Sequence, residues 1–73
     1  MKAQFIEIGT VHVNDTRDIV ISKVVERGDT TGIHINSYIK TPRYTGFSKG
    51  GVFIPLPNCA ELQEIVNKVV NAL

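Results

Sequence analysis

The end of this chain holds a helical hydrophobic period. Leu62, Ile65, Val66, Val69, Val70 and Leu73 recur at i, i+3, i+4, i+7, i+8 and i+11, which makes one continuous apolar stripe on a helix over residues 59–72. Upstream the apolar residues alternate at the period of a strand. Such a chain must cover its stripe with its own sheet or with another molecule, because amphipathic elements are stable only when packed. Val66, Val69 and Val70 lower the intrinsic helicity, so packing has to hold the helix in place. At 73 residues the chain buries only about 60% of its unfolded surface, and the single Cys59 cannot form an internal disulfide. Extra apolar burial is therefore expected from a second copy, as a homodimer.

Four strands are expected. Residues 5–13 alternate, but the apolar parity changes from Ile6 and Ile8 to Val11 and Val13 across Gly9, which predicts a bulge there. Asn14-Asp15-Thr16-Arg17-Asp18 is turn chemistry, with Asp15 and Asp18 read as capping it. A second strand spans 19–27, Gly28-Asp29-Thr30-Thr31-Gly32 closes a hairpin, and a third strand spans 32–40. In that strand Ile33, Ile35 and Ile39 share the parity expected to face the core, while His34, Asn36, Tyr38 and Lys40 point the other way. Residues 41–50 are a loop, and 51–55 form the fourth strand. Asn58 and Glu61 have the spacing of a capping box at the helix start. The fold class is α+β: one domain over 1–73, a four-stranded antiparallel meander followed by one C-terminal helix, with the stripe residues Leu62, Ile65, Val66, Val69 and Val70 as the dimer surface.

The formal charge is +1, but its distribution is uneven. Residues 30–60 contain no acid and carry Lys40, Arg43 and Lys49, whereas the remainder has five cations against seven acids. Tyr38, Tyr44 and Phe47 are interleaved with those three cations. Rings that can stack on bases beside cations that can meet phosphates are the composition of a single-strand-binding surface. The same rings could instead pack on the core rim or anchor a partner protein.

Enzyme chemistry is not expected. Cys59 has no activating neighbours in sequence and reads as a packed thiol. His12 and His34 lack the carboxylate or thiolate company of a metal site. No nucleophile, base and orienter set can be assembled, and Gly46, Gly50 and Gly51 fit neither a phosphate loop nor a dinucleotide fingerprint. No catalytic residue, metal or cofactor is expected. The first seven residues reach Glu7 without a long apolar run, so neither a signal peptide nor a membrane span is expected.

Phe5-Ile6-Glu7-Ile8-Gly9, the strand Ile33-His34-Ile35-Asn36-Ser37-Tyr38, the segment Gly46-Phe47-Ser48-Lys49-Gly50-Gly51-Val52-Phe53-Ile54 and the closing helix together resemble the positive cofactor four family of transcriptional coactivators. The order covers nearly the whole chain, and small bacterial and phage members look closer still than the eukaryotic ones. The resemblance implies a non-enzymatic homodimer, packed through the helices, that binds single-stranded DNA on curved sheets with little sequence preference. It further implies roles for Lys49, which matches the basic residue before the glycine, for Tyr38, and for Lys23 and Arg27 on a strand lining the DNA groove. Asn36 and Ile39 stand where the eukaryotic motif has Arg and Trp, which shifts weight onto Arg43, Tyr44 and Phe47. The expected DNA-binding set is thus Lys23, Arg27, Tyr38, Lys40, Arg43, Tyr44, Phe47 and Lys49. Its expected setting is transcription, replication, recombination or repair in a bacterial or phage-infected cytoplasm, with transcription or replication proteins as further partners. The alternative is a protein-interaction module that uses the aromatic loop.

Overall fold

The computed structural model describes residues 3–73. Strands β1 (Gln4–Asn14), β2 (Arg17–Glu26) and β3 (Asp29–Lys40) form two antiparallel hairpins in sequence order. Strands β4 (Thr45–Phe47) and β5 (Val52–Pro55) both pair antiparallel with β3. A one-turn 3-10 segment, Leu56–Asn58, runs straight into α1 (Cys59–Ala72). The expected order of an antiparallel sheet and then one helix is present, with one correction. The expected fourth strand is present as β5, which covers Gly32 to Ile35, and a fifth strand, β4, forms inside the expected loop 41–50 and covers Tyr38 to Lys40 on the same edge of β3.

The connections follow local chemistry. At the first turn Asn14 Oδ1 accepts from both the Thr16 amide and the Thr16 hydroxyl at 2.9 Å, so Asn14, not Asp15 or Asp18, closes it. The second turn is tighter than the five residues expected. Glu26 already pairs with Asp29, which leaves only Arg27 and Gly28 at the tip with φ of 53° and 83°. Two successive positive φ values are the signature of a type I′ turn, whose twist matches the flanking strands. Arg27 therefore sits in a turn and not on a strand. The bulge predicted at Gly9 is present one residue earlier, where the register slips between Glu7 and Gly9 and leaves Ile8 unpaired.

Alternation sorts the side chains by type. Ile6, Ile19, Ile21, Val25, Ile33, Ile35, Ile39, Val52 and Ile54 fall on one face of the sheet, which we call the aliphatic face. Phe5, His12, Asp18, His34, Asn36, Tyr38, Lys40, Phe47 and Phe53 fall on the other, the aromatic face. The buried hydrophobic residues are Val20 and Val24, at 7% and 4% exposure, and they belong to the aromatic face. This reverses the expectation that Ile33, Ile35 and Ile39 face the core. Aromatic side chains from the neighbouring strands cover β2 on one side, whereas on the other the helix does not reach over the sheet. All of α1 is exposed except Cys59 and Leu62, which are half-buried.

The helix starts without the capping box that its sequence suggests. Asn58 lies in the right-handed helical region, with φ −99° and ψ −2°, and makes no side-chain cap, because the preceding 3-10 turn already continues the helical path. The Cys59 thiol instead donates back to the carbonyls of Pro55 and Ile54, at 3.4 and 3.8 Å.

Candidate nucleic-acid interface

Two ring pairs stand on the aromatic face. Phe5 and His34 reach across β2 and meet edge to face, with centroids 5.0 Å apart and planes at 84°. Tyr38 and Phe47, paired across β3 and β4, meet at 5.1 Å and 81°. Edge-to-face contact satisfies the ring quadrupoles. Phe5 and Phe47 are both about half exposed. Between the pairs lies a cavity of about 180 Å³ lined by Phe5, Val20, Ser22, His34, Asn36 and Phe47. His34 and Tyr38 are four residues apart on β3, roughly 13 Å along the strand, so a ligand touching both pairs must be extended.

Asn36 holds this surface in shape. Its Oδ1 accepts from the Ser37 amide at 2.8 Å and from the Ser48 hydroxyl at 2.9 Å, while its Nδ2 donates to the Ser48 carbonyl at 3.3 Å. The Ser48 amide donates to the Ser37 carbonyl at 2.9 Å. These bonds pin the β4–β5 connection against the middle of β3, so Asn36 does structural work where the family resemblance looks for a DNA-contacting arginine.

The charges are arranged differently from the linear sequence. Lys40 Nζ lies 3.2 Å from Asp18 Oδ2, and His12 Nδ1 donates to Asp18 Oδ1 at 2.8 Å. The Asp18 carboxyl is held below its ordinary value, chiefly by the His12 hydrogen bond and, against some desolvation, by Lys40. Glu7, also on the aromatic face, accepts from the Thr10 hydroxyl at 2.8 Å. The acid-free window therefore does not make an acid-free surface, since β1 and β2 carry Glu7 and Asp18 to the same face.

The eight expected contact residues are dispersed. Tyr38, Lys40 and Phe47 lie together on the aromatic face. Arg43 and Tyr44 lie at the β3–β4 connection, where Thr41 and Tyr44 exchange backbone hydrogen bonds of 2.9 and 3.2 Å. The Tyr44 hydroxyl donates to the Phe47 carbonyl, so that phenol braces its own loop. Lys49 is exposed in the β4–β5 connection, and Arg27 is at the far hairpin tip. Lys23 alternates onto the aliphatic face, where it lines a second cavity. Sequence reasoning put His34 on the same side as Tyr38 but left it out of the contact set, and it missed Phe5 and Phe53 as members of the ring surface. The signal was present as parity: Ile6 and Ile8 exclude Phe5 from their face, and Val52 and Ile54 exclude Phe53 from theirs.

Among the described residues no group of three or more His, Cys, Asp or Glu side chains could hold a metal ion, and no helix is long and apolar enough to cross a membrane. No family model, curated protein or solved structure matches the chain.

Proposed function

We propose that this protein binds single-stranded DNA on the aromatic face of its sheet, without catalysis and with little sequence preference, as a homodimer joined through the α1 stripe. The observation that carries the reading is the two ring pairs on one sheet face, each with a half-exposed phenylalanine, and the groove between them. Stacking suits unpaired bases, which expose a π face whatever their sequence, and each stacked base contributes about 1–3 kcal/mol. A duplex hides those faces, and α1 carries only Lys68 as a cation, so it has no basic row for a major groove. The resemblance to the positive cofactor four family, with strands followed by one helix, supports the same reading. Phosphate contacts are assigned to Arg43 and Lys49 beside the ring surface, with Lys40 partly neutralised by Asp18.

Fluorescence anisotropy with single-stranded and duplex oligonucleotides of equal length, over a salt series, tests it. Single strands should bind tighter at every salt concentration. The Phe5→Ala and Phe47→Ala variants should each lose about 1–3 kcal/mol of single-strand affinity while keeping the salt slope. Equal or tighter duplex binding, or full affinity in both ring variants, would refute the reading.

A further inference from the structure

We infer that the α1 stripe of one copy seats on the aliphatic sheet face of a second copy, and that the exchange is reciprocal. This rests on the homodimer proposed above and specifies what the stripe meets. Two large apolar surfaces are left uncovered on a single chain. On the helix, Ile65, Val66, Val69 and Val70 are each about half exposed; on and beside the aliphatic face, Ile6, Ile8, Val11 and Val52 are equally open, Ile8 at 66%. The chain measures 41 × 38 × 17 Å. Every residue of α1 except Cys59 and Leu62 is exposed, so the helix does not cover its own sheet.

Strand β5 ends at Pro55 and the 3-10 turn begins at Leu56, so that turn sets the direction in which α1 leaves the sheet. Leu56 and Cys59 at the root of the helix already close one end of the aliphatic face, forming with Ile8, Ile21, Lys23 and Ile33 a cavity of about 240 Å³. The rest of the face is open to another molecule.

The exposed area also fits a partner. The chain exposes 5765 Å², whereas a compact monomer of 8.1 kDa exposes about 4,500 Å². The excess, about 1,300 Å², exceeds the ≈ 800 Å² per partner of a standard interface and falls in the range of obligate homodimers, about 1,000–2,500 Å² per partner. Pairing two helices would cover the stripes and leave both aliphatic faces wet. Seating each helix on the other copy's sheet covers both surfaces at once and leaves the aromatic faces free.

Disulfide trapping tests the arrangement. In a Cys59→Ser background, single-cysteine chains carrying Val66→Cys are mixed with chains carrying Ile19→Cys, Ile35→Cys or Ile39→Cys and then oxidised. At least one mixed helix-to-sheet disulfide should form faster than the Val66→Cys homodimer. Rapid homodimer trapping with no mixed product would overturn the inference while leaving the homodimer, and the DNA reading, intact. Isotope-filtered NMR on mixed labelled and unlabelled wild-type chains avoids any folding defect in the variants. Valine methyls of α1 should show interchain contacts to isoleucine methyls of β2 and β3; helix-to-helix contacts alone would overturn the inference. A wild-type protein that sediments at 8.1 kDa would remove the homodimer as well.

Discussion

Asp18 controls how much positive charge the aromatic face can offer. It accepts from His12 and pairs with Lys40, the one cation among the ring-bearing positions of β3. Asp18→Asn removes the competing charge, so Lys40 should become available to a phosphate. The salt dependence of single-strand binding should then steepen by roughly 0.7 in log–log slope, the value for one added phosphate contact on a single strand. An unchanged slope in anisotropy titrations would mean that Lys40 does not approach the DNA backbone. The same carboxylate has an acid signature whose sign is fixed by the direction of its shift. Its folded pKa is depressed below the ordinary 3.8, so its contribution to stability is present above that pH and disappears as pH falls through the depressed value. The melting temperature of wild type relative to Asp18→Asn should be steady near neutrality and should converge on the variant's in acid.

Among the elements, the β3–β5 pairing depends on Gly32. A Cβ there would meet the Ile54 carbonyl oxygen and lie 2.8 Å from the Phe53 ring, and backbone cannot move aside as a flexible side chain can. Gly32→Ala should therefore destabilise the fold by about 1–3 kcal/mol, the usual cost of overpacking, and hydrogen exchange should show it first as lost protection across β5. Protection of β5 equal to wild type would show that the strand can shift without cost. How far such pairings can be read from sequence depends on their range. The α1 period, the bulge near Gly9 and the first three strands are local patterns and were legible. Parity also separated Ile33, Ile35 and Ile39 from His34, Asn36 and Tyr38 correctly, but parity alone does not say which set is covered. The rings of Phe5, His34 and Phe47 converge only once three strands are in register. Strand β4 was missed because three residues after Pro42 give too short a pattern to outweigh the loop signals around them. The ion pair of Asp18 with Lys40 joins residues far apart in the chain, so no linear charge window could reveal it. Asn58 fails as a cap for a local reason, since the 3-10 turn from Leu56 had already begun a helical path.

The single chain is open for its length. Its radius of gyration is 13.9 Å, against about 11 Å for a compact domain of this length, and Val20 and Val24 are the buried hydrophobic residues among those described. If association supplies the missing burial, folding and dimerisation are one equilibrium, and the melting temperature must rise with protein concentration by mass action. Calorimetry over a hundredfold dilution should show that rise. Val66→Asp tests the stripe within the same framework, because the new carboxylate sits at the centre of the apolar surface where no cation of the helix can reach it: Lys68 lies on the opposite side of the helical wheel. Burying an isolated carboxylate costs several kcal/mol, which is comparable with the whole stability of a small domain. The variant should therefore dissociate and unfold together, losing sheet and helix signals in one transition and losing single-strand binding with them. If Val66→Asp instead stays folded as a dimer, the stripe is not the interface. If wild type melts at one temperature at every concentration, the aliphatic face needs no partner, and stability must come from contacts within the single chain.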